Sequence, residues 1–113
     1  MNNVFLMGRL TRNVDIKQTA TTTVARVGIA VDRKFSKEKA TDFFNLVAFG
    51  KTAEFLSKYF GVGSKILIEG RLQNSRYRDK DGNDRTSTDV IVEQVEFADS
   101  KKKATDTDYD TTF

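Results

Sequence analysis

The chain of 113 residues contains no cysteine, no histidine, no proline and no tryptophan. Without cysteine nothing staples the fold covalently, and a secreted disulfide scaffold is excluded. Without cysteine or histidine, zinc sites lose their usual donors, and Ser–His or Cys–His nucleophilic chemistry loses its base. Long apolar runs are missing too. Val4-Phe5-Leu6-Met7 is cut short by Gly8 and Arg9, too early for a signal or membrane segment. The expectation is one soluble, cytoplasmic domain with no membrane partner.

The net charge is only +3, but it is unevenly spread. Residues 104–113 carry Asp106, Asp108, Asp110 and the terminal carboxylate, with no basic residue. The body is therefore more basic than the whole-chain figure. A basic body attracts phosphate backbones, and an acidic tip is repelled by them.

Apolar residues recur with period two over Val4–Leu10, Val24–Asp32 and Asp42–Phe49, the signature of strands with one buried face. Thr19–Thr23 is a small, polar connection, and Lys34–Thr41 is a charged loop holding Phe35. From Lys51 to Phe60 the spacing becomes helical, with Ala53, Leu56 and Phe60 on one stripe, and Gly61 and Gly63 are placed to stop it. Strand character returns from Ile66 to Tyr77. Asp81-Gly82 marks a hairpin turn, and a last strand covers Thr86–Phe97. Beyond Asp99 periodicity is lost, which predicts a disordered tail over 99–113 after a domain over 1–98. Three strands, a helix and two strands give an all-β class with one helix. A five-stranded barrel with its helix between the third and fourth strands is the OB architecture.

Motifs for chemistry fail. Gly50-Lys51-Thr52 resembles the end of a phosphate-binding loop, but the glycine required five positions earlier is Asn45. Aligning Gly82 on a calcium loop puts Tyr77 and Thr88 at ligand positions. Glu69, Glu93 and Glu96 are scattered along strands. No catalytic residue, metal site, cofactor or small-molecule substrate is expected, and the enzyme class is set aside.

What remains is a set of aromatics interleaved with cations. Phe35 lies among Arg33, Lys34, Lys37 and Lys39; Phe43 and Phe49 share one strand face, with Lys51 just beyond; Tyr77 sits between Arg76 and Arg78, with Arg71 on the same strand. Aromatic rings stack on any base while cations track the phosphates, so such a surface binds single strands of any sequence. A lone strand phenylalanine is more often core. Here, however, Phe44, Leu46 and Ala48 already supply a core on the opposite face, and Asn45 interrupts the Phe43/Phe49 face. Phe5, Phe55, Phe60 and Phe97 are assigned to the core. The expected phosphate contacts are Arg9, Arg33, Lys34, Lys51, Arg71, Arg76 and Arg78.

Four runs then resemble the bacterial and phage single-stranded DNA-binding proteins of homotetrameric OB type. They are Asn3-Val4-Phe5-Leu6-Met7-Gly8-Arg9-Leu10, the stretch from Asp42 to Glu54, the stretch from Gly63 to Leu72, and the Asp81-Gly82 hairpin. The resemblance implies base stacking on Phe35, Phe43, Phe49 and Tyr77, the set reached above. It also implies coating of single-stranded DNA during replication, recombination and repair. A homotetramer follows from it as well, joined partly through the first strand, with Phe44 a candidate for the assembly surface. The tip departs from the family pattern, with threonine in place of the proline before Phe113. By resemblance Asp108, Asp110 and Phe113 dock replication, repair or recombination partners. Two alternatives stay open: an OB module preferring RNA, and an interaction hub whose tail recruits partners.

Overall fold

Period two along the chain becomes five strands, a sixth forms without it, and the one stretch of period 3.6 becomes a helix. In a computed structural model, which describes residues 1–35 and 37–98, the elements run β1 (Val4–Leu10), β2 (Asp15–Gln18), β3 (Thr23–Asp32), β4 (Thr41–Phe49), α1 (Gly50–Tyr59), β5 (Lys65–Arg78) and β6 (Asp84–Phe97). The order across the sheet is β1-β5-β6-β4-β3-β2, and a further β1–β3 pairing closes the ring. Every pairing is antiparallel except β4–β6, where Leu46 meets Val90 and Val47 meets Ile91. This is a mostly-β barrel with one helix, compatible with the OB plan.

The barrel interior is filled from β1, β3, β4, β5 and β6. Leu10, Ala25, Val27, Ile29, Leu46, Ala48, Ile66, Ile68, Val90 and Val92 are buried there. Helix α1 covers the barrel with Ala53 and Leu56, and Phe60 follows at its cap. The helix ends at Tyr59, one residue before the expected stop. Phe60 takes extended dihedrals, and Gly63 rather than Gly61 adopts the left-handed conformation (φ 83°).

Three features differ from the expectation. Strand β2 was not anticipated: all four of its residues are exposed, so no apolar alternation marks it. Its bonds run along β3, with Ile16 opposite Ala25, and a turn from Thr19 to Thr22 joins the two strands. The second is Phe5, expected in the core but 65% exposed. Val4 and Leu6 take the inner face of β1, so Phe5 and Met7 must point outward. Phe97 is also a correction in part. Its ring stacks on Phe60 at 4.7 Å, yet 40% of the residue remains exposed.

The seam where β1 bends from β5 to β3 depends on Gly8. A Cβ there would run into the Ala30 carbonyl, which is backbone in the ladder and cannot swing aside. Gly8→Ala is expected to cost at least about 1–3 kcal/mol, the usual range for overpacking. Urea denaturation should show a lower midpoint with unchanged slope; an unchanged midpoint would mean that the seam yields freely.

Beyond the barrel β5 and β6 continue as a two-stranded arm. The pairing of β1 with β5 ends at Val4–Gly70. One step further the Asn2 side chain stands in for a strand: its amide nitrogen donates to the Leu72 carbonyl (2.8 Å) and its oxygen accepts from the Leu72 N–H (2.9 Å). From Gln73 to Arg78, β5 is exposed and bonded only to β6. Asp79 shapes the turn that closes the arm, its carboxylate accepting from the N–H groups of Asp81 and Asn83.

Candidate nucleic-acid interface

Residues directly opposite each other in a ladder share a sheet face, so the registers define the outer surface of the barrel. On β4 this face carries Phe43, Asn45, Val47 and Phe49. Ala30, Gly28, Arg26 and Val24 of β3 lie opposite them in that order. Val47 neighbours Ile91 of β6, which neighbours Arg71 of β5. Period two then carries the face along β5 from Arg71 through Gln73 and Ser75 to Tyr77. Strand β5 runs opposite to β4, so Tyr77 and Phe43 lie toward the same end, together with the β3–β4 loop that holds Phe35. Phe49 lies toward the other end.

All four aromatics are open to solvent: Phe35 at 100%, Phe43 at 70%, Phe49 at 47% and Tyr77 at 53%. Rings of this size are exposed at a cost in unburied apolar surface, so three of them on one face of a small barrel, with a fourth in the loop at its end, are a feature to be explained. Val47 and Ile91, between them on the same face, are buried. The surface is thus a packed floor with rings standing at its margins.

Phe35 also has a left-handed backbone, φ 62°, which costs a bulky L-residue roughly 1–2 kcal/mol. Such strain persists where the surroundings fix the chain, and here the loop ends are tied. Arg33 N–H donates to the Ala40 carbonyl, the Arg33 guanidinium grips both oxygens of Asp42 at 2.9–3.1 Å, and Thr41 Oγ1 donates to Asp32.

The cations divide into two groups. Arg33 is paired with Asp42, Arg71 with Glu93 at 3.6 Å, and Arg78 with Asp84 at 3.4 Å. Arg9 donates to the Gly63 carbonyl. Lys34, Lys51 and Arg76 are exposed and have no ion pair among the described residues. Sequence spacing could not sort them, because the partners come from neighbouring strands. Sequence reasoning also passed over Arg26, in the middle of the outer face. Its signal was present: it alternates with Ala25 and Val27 on a strand beside Phe43 and Phe49.

Hydrogen bonds from Arg33 hold the Asp42 carboxyl below its ordinary range. Asp79 is held down likewise by Arg85 and by the turn N–H groups. A carboxyl depressed on folding contributes stability above the unfolded value of about 3.9 and loses it as pH falls through the lower folded value. Thermal midpoints should therefore be flat from pH 7 to about 5 and drop below about 4. In Asp79→Asn the acid drop should be smaller, as melts at pH 7, 4 and 2.5 would reveal; an equal drop would assign it to other carboxylates.

Among the described residues, no cluster of three or more acidic, histidine or cysteine side chains could hold a metal ion, and no helix is long and apolar enough to cross a membrane. The tip residues Asp108, Asp110 and Phe113 and the expected tail disorder lie outside the described residues.

Comparison with known proteins identifies a family. The model of the single-strand binding protein family matches residues 1–98. A single-stranded DNA-binding protein of Fusobacterium nucleatum is 46% identical over 107 residues, covering 89% of this chain and 69% of its own length. One from Clostridium perfringens is 41% identical over 102 residues, 88% of this chain and 67% of the relative. Single-stranded DNA-binding protein 1 of Clostridium acetobutylicum is 40% identical over 109 residues, 92% of this chain and 99% of its own length. By the family match across its whole described barrel and by these relatives, the chain belongs to the single-strand binding protein family.

Proposed function

We propose that this protein coats single-stranded DNA without regard to sequence and protects it during replication, recombination and repair. The observation that carries this reading is the set of solvent-exposed rings Phe43, Phe49 and Tyr77 on one sheet face, with Phe35 at its end and cations between. Exposed bases stack on the rings, and Arg9, Arg33, Lys34, Lys51, Arg71, Arg76 and Arg78 serve the phosphates. Duplex DNA hides its base faces, so discrimination against it follows from the same geometry. The process is binding, with no covalent step. Titration of labelled oligo(dT), its duplex and a matched RNA tests it. Tight binding of oligo(dT) alone supports the reading. Equal or tighter RNA binding favours the RNA module, because the 2′-hydroxyl is what separates the two.

Assembly into a homotetramer belongs to the same proposal. Phe5, Met7 and Leu67 share the outer face of β1 and β5, where Met7 stands opposite Leu67, and all three are exposed. Phe44 is 37% exposed and remains a candidate for the assembly surface. Contiguous apolar surface of this kind is what an interface covers. The acidic tip with Asp108, Asp110 and Phe113 is proposed to recruit replication, repair or recombination proteins. Deleting Asp106–Phe113 should leave DNA affinity at least as high and abolish partner capture; a loss of DNA affinity instead would place the tip in the DNA site.

A further inference from the structure

A second row of positive charge runs beside the aromatic strand. At the end of β1 the chain turns across β3: Thr11 N–H donates to the Gly28 carbonyl at 3.0 Å. A Cβ on Gly28 would lie 2.5 Å from Thr11 Oγ1 and 3.3 Å from Arg12 Nη1. Gly28 is buried although it belongs to the outer face, because Thr11 and Arg12 lie over it. The missing side chain at Gly28 is thus the space through which Arg12 reaches the outer face. The neighbouring outward position on β3 is Arg26, opposite Val47. Along β4, Asn45 and Val47 are the two outward positions between Phe43 and Phe49, so Gly28, with Arg12 over it, and Arg26 are the β3 positions that stand beside the gap between the two rings.

Neither arginine is spoken for. Both are exposed, and neither makes an ion pair among the described residues. Asp15 stands opposite Arg26 across β2 and β3 without pairing to it. A cavity of about 200 Å³ opens between Asp15, Lys17, Thr19, Val24 and Arg26. Arg33, Arg71 and Arg78 must instead give up a carboxylate before they can take a phosphate.

We propose that Arg12 and Arg26 form a phosphodiester-binding pair that holds the backbone between the bases stacked on Phe43 and Phe49. The inference rests on the single-strand reading above. Planar guanidinium groups suit it, since they bind phosphate oxygens in a bidentate fork. Wild type, Arg12→Gln, Arg26→Gln, the double variant and Lys58→Gln are titrated with oligo(dT) across salt concentrations. Lys58 is exposed on α1, 5.5 Å over the Tyr59 ring, and serves as the charge control. Each arginine variant should flatten the slope of log K against log salt by about 0.7, and the double variant by about 1.4. At 50 mM salt that is roughly an eightfold loss of affinity for each. Lys58→Gln should leave the slope unchanged. Gly28→Ala, which displaces Thr11 and Arg12, should flatten the slope as Arg12→Gln does. Wild-type slopes in a folded double variant overturn the pair, as does an equal flattening by Lys58→Gln. If the wild type itself ignores oligo(dT), the parent reading has failed instead.

Discussion

Replacing Phe43, Phe49 and Tyr77 together by alanine is expected to lower affinity for poly(dT) at least a hundredfold while leaving the barrel folded. Base–ring stacking is worth about 1–3 kcal/mol per base, so three rings represent about 3–9 kcal/mol if their effects add. Each 1.4 kcal/mol is tenfold, and the low end alone gives two decades. The fold should survive because each ring keeps about half or more of its surface in water, at 70, 47 and 53%. Little buried area is lost by truncation, in contrast to a core residue such as Ile68, whose truncation to alanine costs about 2–5 kcal/mol. Poly(dT) carrying its own fluorophore is the right probe, since the protein has no tryptophan. A thermal midpoint within a few degrees of wild type certifies the folded state. Equal binding by a folded triple variant would assign these rings to assembly and leave charge as the only basis of affinity.

Where one face of a strand is apolar and the other polar, the alternation names both the strand and its inside. On β4 the alternation names the strand and most of its inside: Leu46 and Ala48 are buried and Asn45 is exposed, but Phe44, of inward parity, is 37% exposed, and Val47, of outward parity, is buried. The rule weakens where both faces are apolar. In β1, Val4 and Leu6 alternate with Phe5 and Met7, and nothing local decides which pair faces in. The placement of Phe5 outside depends on the closing of the barrel at Gly8. Strand β2 carries no pattern because Asp15–Gln18 buries nothing, and only the backbone of β3 makes it a strand. Charge pairing shows the same limit. Arg33 and Asp42 are nine residues apart and meet only because a hairpin folds between them, whereas the cations beside each ring were legible as neighbours in sequence. Arg12 was illegible for a further reason: its position on the outer face depends on a side chain that Gly28 does not have.

Those pairings lead to the second large effect, the dependence of binding on salt. Phosphate contacts to a single strand release counterions, and log K falls by about 0.7 per contact for each log unit of salt. If every expected cation together with Arg12 and Arg26 contributed in full, nine contacts would give a slope near 6. Arg33, Arg71 and Arg78 already hold carboxylates, so each exchanges one anion for another and releases less. Arg9 is held at the Gly63 carbonyl. Lys34, Lys51, Arg76, Arg12 and Arg26 remain, and the expected slope is about 3.5. Affinity should then fall roughly 3,000-fold over a tenfold rise in salt. The exposed pairs are individually weak, worth at most about 1 kcal/mol as a class, so they restrain the arginines without locking them. It follows that removing a carboxylate should strengthen binding. Glu93→Gln frees Arg71 and should both tighten binding at low salt and steepen the slope by up to about 0.7. A wild-type slope above 6 would mean that the paired arginines reach phosphate at full value. Weaker binding by Glu93→Gln would mean that the carboxylate positions its arginine instead of competing for it.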